Sequence, residues 1–264
     1  TCTSNPSAAV SVTVNALPAT PTITPGGATT FCAGGSVTLT SSSGTGNQWY
    51  LNGTAIGGAT ANTYSATATG NYTVRVTNTC TSNPSAAVSV TVNPLPATPT
   101  ITAGGATTFC DGGSVTLTSS SATGNQWYLN GSAISGATSN TYSATASGSY
   151  TVKVTNGNGC ASAMSSATSV TVNPAPAITA FGPATQTVKR NKVPQTLNVT
   201  ATGTGTKLYQ WYRGSSGSTT NPISGATGPS YVPPTNAAGT FTYWVRVTIG
   251  SCTADSTTAT VTVN

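Results

Sequence analysis

The sequence predicts an all-β protein, a tandem run of small Greek-key β-sandwiches arranged as an elongated rod. Three observations predict it. Apolar residues alternate with polar ones over short runs, and no segment carries a sustained helical stripe. Clusters of Gly, Asn and Ser separate those runs, giving about seven short strands in fewer than about 100 residues. The chain also repeats itself: shifted by 78 residues, Thr1–Asn78 matches Thr79–Asn156 at all but ten positions.

The elements follow in order. The first fifteen residues, TCTSNPSAAVSVTVN, return letter for letter at Thr79–Asn93, where they close a repeat. Val88, Val90 and Val92 give that closing strand the cleanest alternation in the chain. Residues 1–15 are therefore expected to be the final strand of an upstream unit. The first repeat spans 16–93, the second 94–173, and a diverged third unit 174–264. Within the first repeat, Val37 and Leu39 share one face of a strand, as do Trp49 and Leu51, and as do Tyr72, Val74 and Val76. Pro-rich joints, NALPATPTIT, NPLPATPTIT and NPAPAITAF, separate the units and favour stiff extended backbone.

Composition excludes more than it includes. The chain has no His and only two acids, Asp111 and Asp255. Ser-His-Asp and Cys-His nucleophile systems, paired-carboxylate glycosidase chemistry and His or carboxylate zinc sites therefore have no residues to use. A calcium cage needs several carboxylates, and these two fall in different units. The first repeat has neither Lys nor acid, so it cannot form a Lys–Asn cross-link with a catalytic acid. No enzyme, cofactor or metal is expected. Six of the eight cations lie in the last third, at Lys189, Arg190, Lys192, Lys207, Arg213 and Arg246. KRNK at 189–192 reads as a solvated loop, not a phosphate-tracking surface, so no nucleic-acid partner is expected. No apolar run reaches the roughly 18 residues of a membrane span, and none reads as a signal peptide, so an export address is expected to have been removed or to lie outside these residues. Membrane insertion is not expected.

GSVTLT, WYLNG and GNYTVRV resemble strands B, C and F of an immunoglobulin-like domain. Trp49 takes the place of the core Trp and Tyr72 that of the tyrosine corner. The intersheet disulfide of that fold is absent, its positions falling near Ser41 and Val74. The whole pattern resembles the tandem Ig-like repeats of giant secreted Bacteroidota cell-surface proteins, including gliding and attachment adhesins. The resemblance covers essentially the full chain and implies tandem immunoglobulin-like Greek-key β-sandwiches at the cell surface. It also gives Asp255–Thr257 the look of a Bacteroidota O-glycosylation motif, with Ser256 as acceptor.

On this strand assignment, Tyr50, Tyr128 and Tyr212 follow the core Trp residues and point outward. Arg75, Lys153 and Arg246 alternate outward on the neighbouring strand. Trp244, between Tyr243 and Val245, is expected to face solvent. An exposed ring beside a cation stacks on sugars, and equally forms an ordinary structural cation–π pair. These seven residues are the candidate ligand surface.

An exported β protein with regularly spaced cysteines is expected to be oxidised. One bridge per unit, Cys32–Cys80 and Cys110–Cys160, leaves Cys252 alone, because the third unit has TVKRNK where the others have TTFC. Such a bridge also has to cross a strand length of about 20 Å, whereas bridged Cα atoms sit about 4.4–6.8 Å apart. Pairing across joints gives Cys32–Cys160 and Cys110–Cys252, and leaves Cys2 and Cys80 for upstream units. That scheme is preferred; a distorted region before strand B keeps the other open.

The function expected is a non-catalytic extracellular stalk or adhesin segment that spans distance and displays or forms an adhesive surface. Its partners are the neighbouring Ig-like units of the same longer chain, with surface glycans or other cells as possible targets. Two alternatives stand beside it. One is a carbohydrate-binding accessory region of a secreted enzyme; the other is a self-assembling surface filament subunit.

Overall fold

The computed structural model describes residues 2–264, all of them in strands, turns or irregular segments. They form two compact units. One comprises the residues up to Thr98 together with Val154–Ala163; the other comprises Pro99–Lys153 with Met164–Asn264.

The first sandwich has eight strands: β1 (Ile23–Pro25), β2 (Thr30–Cys32), β3 (Val37–Ser41), β4 (Asn47–Leu51), β5 (Thr54–Ala55), β6 (Thr63–Ala66), β7 (Gly70–Val76) and β8 (Val88–Asn93). β1, β3 and β6 make one sheet, and the other runs β2-β8-β7-β4-β5. The count exceeds the expected seven because the leading strand splits. Its first piece pairs antiparallel with β3 and its second pairs parallel with β8. The switch brings Cys32 into register with Asn93, the last residue of β8.

Alternation sets the faces. Val37, Leu39, Trp49, Ala66, Tyr72, Val74 and Val90 fill the space between the sheets. Trp49 is fully buried, and its indole N–H donates to Ala61 O at 2.9 Å, so the largest core side chain leaves no polar atom unpaired. Asn52 and Gly53 turn the β4–β5 hairpin with φ of 50° and 82°, the left-handed pair that Asn-Gly adopts most readily. Gly46 also has positive φ, and a Cβ there would meet Thr77 O.

The second sandwich repeats this plan over Ile101–Ala103 to Thr168–Asn173, with Trp127 fully buried and bonded to Ser139 O at 2.9 Å. Its Cys110 pairs in parallel register with Asn173. In both repeats the tyrosine corner closes: Tyr72 OH donates to Ala68 O and Tyr150 OH to Ala146 O, each at 2.9 Å.

The third sandwich keeps the plan and changes the details. Trp211 is buried with Leu197, Val199, Tyr243, Val245 and Val247. Gly239–Ile249 is an eleven-residue strand that folds back through Gly250 onto Cys252–Asp255. Tyr243 replaces the corner tyrosine, but its buried hydroxyl has no protein partner. Lys189 stands where the repeats have Cys32 and Cys110, since the next residue, Arg190, donates its N–H to the terminal strand's Asn264 O.

Residues 2–15, expected to be the final strand of an upstream unit, pair with no other strand among the described residues. Val10, Val12 and Val14 are 86%, 82% and 90% exposed, whereas Val90 in the identical segment is 1% exposed. Alternation makes a strand only where a neighbouring strand accepts its backbone groups.

Burial raises the pKa of Tyr72, Tyr150, Tyr231 and Tyr243. The folded chain therefore holds these protons to higher pH than the unfolded chain, whose tyrosines ionise near about 10. The stability this gives is fully present below that value and is lost as pH rises through the folded pKa. With no His, the oxidised chain is expected to keep a flat Tm from about pH 5 to 9 and to lose stability above about 10. Scanning calorimetry across that range checks it, and a Tm step between pH 6 and 8 would contradict it.

Candidate functional site

Two arrangements bear on function, the joints between consecutive sandwiches and the outward sheet face that carries the aromatic residues.

At the first joint, Cys32 ends β2 opposite Asn93, and Ala33 N–H donates to Asn93 O at 2.8 Å. The chain leaves β8 through Pro94 and enters the second sandwich. The segment Asn156–Cys160 of that sandwich folds back onto the same point. Asn156 Nδ2 donates to Pro94 O at 3.1 Å, and Asn156 Oδ1 accepts from the N–H groups of Asn158 and Cys160. This places the fully buried Cys160 sulfur 4.0 Å from Asn93 O, bonded to Cys32 with a Cα–Cα separation of 5.5 Å.

The second joint repeats the geometry. Cys110 lies opposite Asn173, and Asp111 N–H donates to Asn173 O at 2.8 Å. Cys252, 1% exposed, sits 3.9 Å from Asn173 O and is bonded to Cys110 with a Cα–Cα separation of 5.6 Å. Each bridge therefore runs from one sandwich to the next. Cys110 and Cys160 belong to the same sandwich and bond to different neighbours. Cys2 and Cys80 carry free thiols. The closed loops span 128 and 142 residues of sequence and overlap over 110–160. Loop closure on this scale removes about 5 kcal/mol of unfolded-state entropy per bridge in the chain-entropy account.

Of the seven candidate surface residues, the structure brings some together and buries one. The Arg75 guanidinium lies over the Tyr50 ring, 5.7 Å from its centroid. Both side chains, with Asn52, Gly53, Asn71, Thr73 and Pro84, line an open cleft of about 510 Å³. Tyr128 and Lys153 hold the equivalent places in the second repeat and are half-buried. Tyr212 and Trp244 stack with centroids 4.5 Å apart and planes 12° apart, and Arg246 covers the Trp244 ring at 5.5 Å. Arg246 is in turn held by both Asp255 oxygens, each at 2.7 Å.

Two expectations are corrected. Trp244 does lie on the sheet face opposite Tyr243 and Val245, but it is fully buried and offers no contact surface. Alternation gives a side chain's face, and it cannot show that a stacked tyrosine and a pinned arginine close over that face. Ser256 is 2% exposed. Its hydroxyl accepts from Val245 N–H at 2.9 Å and donates to Thr257 O at 2.8 Å, so it is not available as a glycan acceptor.

Ser256 belongs to a set that the sequence reading missed. Ser85 accepts from Val74 N–H and donates to Ala86 O; Ser165 accepts from Val152 N–H and donates to Ser166 O. Ser82 and Ser162 do the same one turn earlier with Val76 and Val154. These hydroxyls replace ladder bonds where the last strand departs from its neighbour, and they pair the N–H groups of Val74, Val76, Val152, Val154 and Val245. The recurrence of SNPS at 82–85 as SAMS at 162–165 was the available signal.

Among the described residues no group of three or more potential metal ligands clusters, and no helix is long and apolar enough to cross a membrane.

These features agree with the sequence comparisons. Residues 18–94 and 96–174 each match the family described as Ig-like domain CHU_C associated. Residues 179–264 match a family described as a domain of unknown function, DUF8696. The chain belongs to the CHU_C-associated Ig-like family. No curated protein matches it. Among solved structures, it is similar to a three-domain immunoglobulin fragment of titin in an E-to-A mutated variant, at 12% identity and a TM-score of 0.43, covering 89% of this chain and 95% of that one. It is also similar to extracellular domains 3–5 of Drosophila OTK, at 14% identity and a TM-score of 0.37, covering 96% and 100%.

Alkylation without reduction, followed by peptide mapping, is expected to yield linked peptides containing Cys32–Cys160 and Cys110–Cys252, with Cys2 and Cys80 alkylated. A linked Cys110–Cys160 peptide would refute this pairing.

Proposed function

We propose that this chain is part of a non-catalytic extracellular stalk of Bacteroidota cell-surface type, in which successive Ig-like sandwiches are clamped at their joints. The observation that carries the reading is the placement of the bridges: both tie consecutive sandwiches and neither lies within one. A sandwich whose Trp-centred core already folds it gains nothing local from such a bond. A joint made of a proline-bearing linker plus a disulfide loses freedom at two points instead of one. Ser, Thr and Gly dominate the chain and only 4% of its residues are charged, so its surface charge interactions are few and salt has little to screen.

The test is the spread of distances across a joint. Spin labels placed at exposed Thr24 and Thr141 are expected to give a narrow distance distribution in the oxidised chain. Selective reduction should broaden it while the β-sheet circular dichroism persists. A distribution equally broad before and after reduction would remove the clamp from the account.

The adhesive part of the reading rests on the Tyr50–Arg75 cleft. An aromatic ring, a guanidinium and two Asn side chains suit a neutral or acidic sugar, with the ring face stacking and the amides bonding hydroxyls. Glycan-array binding by the oxidised chain is expected to fall about tenfold in Tyr50→Ala, equal to about 1.4 kcal/mol. Binding unchanged in that variant would move the adhesive surface elsewhere; no binding on the array would leave the stalk alone.

A further inference from the structure

The third sandwich alters one corner of the shared plan at three points together. In the first repeat, Leu51 ends β4 opposite the corner Tyr72 and packs against the core. Gly70 leaves room for it, since a Cβ there would meet Leu51 Cδ1. In the third sandwich Arg213 takes that register position, opposite Tyr243. Phe241 precedes Tyr243 by two residues, as Gly70 precedes Tyr72. The Arg213 guanidinium lies 5.4 Å from the Phe241 ring centroid and 5.8 Å from that of Tyr243. The tyrosine also loses its acceptor. Tyr72 OH donates to Ala68 O, whereas the buried Tyr243 hydroxyl has no protein partner.

The third change is a longer hairpin. Ile56 and Ile223 both donate their N–H to the core Trp carbonyl at 2.9 Å, but Ile56 lies seven positions after Trp49 and Ile223 twelve after Trp211. The extra residues bring Asn221 back beside the strand, where its carbonyl accepts the Arg213 N–H at 3.0 Å and Pro222 bridges Tyr212. Arg213, Thr220, Asn221, Pro222, Ile223 and Tyr231 line an open cleft of about 540 Å³, within the range of about 300–1,000 Å³ usual for small-molecule sites. Its cation has no counter-charge. Among the described residues the ion pair is Arg246 with Asp255, both of whose oxygens are taken, and no carboxylate meets Arg213. Burial raises the pKa of Tyr231 and Tyr243 while the Arg213 charge lowers both, in keeping with a guanidinium beside the two phenols.

We propose that this cleft binds a carboxylate-bearing sugar, a hexuronate residue of an acidic glycan. The Phe241 and Tyr243 rings hold the guanidinium in place without occupying its N–H donors, so its fork stays free for both oxygens of a carboxylate. Thr220 and Asn221 supply a hydroxyl and an amide for the sugar hydroxyls. Tyr231 and Pro222 give its apolar face a surface. A neutral sugar leaves the cation unanswered, and a bare carboxylate forgoes the rest of the cleft. The repeats cannot form this site, because Leu51 and Leu129 stand where the third sandwich has Arg213. The inference stands on the third sandwich alone and is independent of the Tyr50–Arg75 cleft.

The experiment titrates the whole oxidised chain with methyl glucuronoside, methyl glucoside and acetate, reading the NMR resonances of the Arg213 Nε–H and the Asn221 side-chain amide. The two glycosides differ only by a carboxylate in place of a hydroxymethyl group. Methyl glucuronoside is expected to give saturable shifts at both residues, with an affinity about tenfold or more above that of methyl glucoside or acetate. Arg213→Leu, which installs the residue of the repeats, is expected to weaken binding read at Asn221 by about tenfold. If that variant does not fold, Asn221→Ala in the exposed hairpin replaces it, with weakened binding read at Arg213. Equal affinity for methyl glucoside or for acetate overturns the proposal. So does wild-type affinity in the variant, or the lack of a saturable shift at Arg213 with methyl glucuronoside. Sugar bound at the Tyr50–Arg75 cleft does not enter a readout at these two residues, so failure here leaves that reading and the stalk reading standing.

Discussion

The length of a strand governs how this chain is cross-linked. In the first repeat, Cys32 ends the strand beside the outgoing linker, while Cys80 follows β7 beside the incoming one. A strand of six or seven residues separates such positions by about 20 Å, several times what a disulfide spans. Each sandwich is therefore barred from closing on itself, and its cysteines are left for its neighbours. The parallel pairing of β2 with β8 sets the meeting point, because it delivers Cys32 to the residue where the chain departs. Asn156 completes the arrangement by binding the linker carbonyl and folding Cys160 onto it.

Because the bridges stabilise joints and not cores, each sandwich has to fold on packing alone. The buried Trp, paired through its indole N–H, and the tyrosine corner provide this in the repeats. Truncating such a Trp to Ala typically costs about 3–5 kcal/mol, a large share of a small domain's stability. The paired serines after β7 let the last strand change course without baring backbone groups. The third sandwich departs where its role differs. It receives a bridge through Cys252 and has Lys189 where a donating cysteine would be. It also closes its outer face with the Tyr212–Trp244 stack under Arg246.

Much of this was legible in the letters. The 78-residue repeat, the alternating strands and the Trp cores follow from spacing and composition. The pairing across joints followed from strand length and from the missing third-unit cysteine. What stayed hidden depends on neighbours that no local pattern names. Trp244 lies on the face its alternation gives it, but Tyr212 and Arg246 cover that face. Ser256 looked like a surface acceptor because a three-residue motif carries no burial.

Pulling the oxidised chain from its two ends tests the central claim most directly. With bonds Cys32–Cys160 and Cys110–Cys252, the shortest covalent path passes through residues 1–32, 110–160 and 252–264. The segments 33–109 and 161–251 are shielded from load. The fully extended length is then about 300 Å, against about 900 Å after reduction, at about 3.4 Å per residue. Under the account, residues 174–251 of the third sandwich do not extend until reductant is added. Full extension of the third sandwich in the oxidised chain would contradict it.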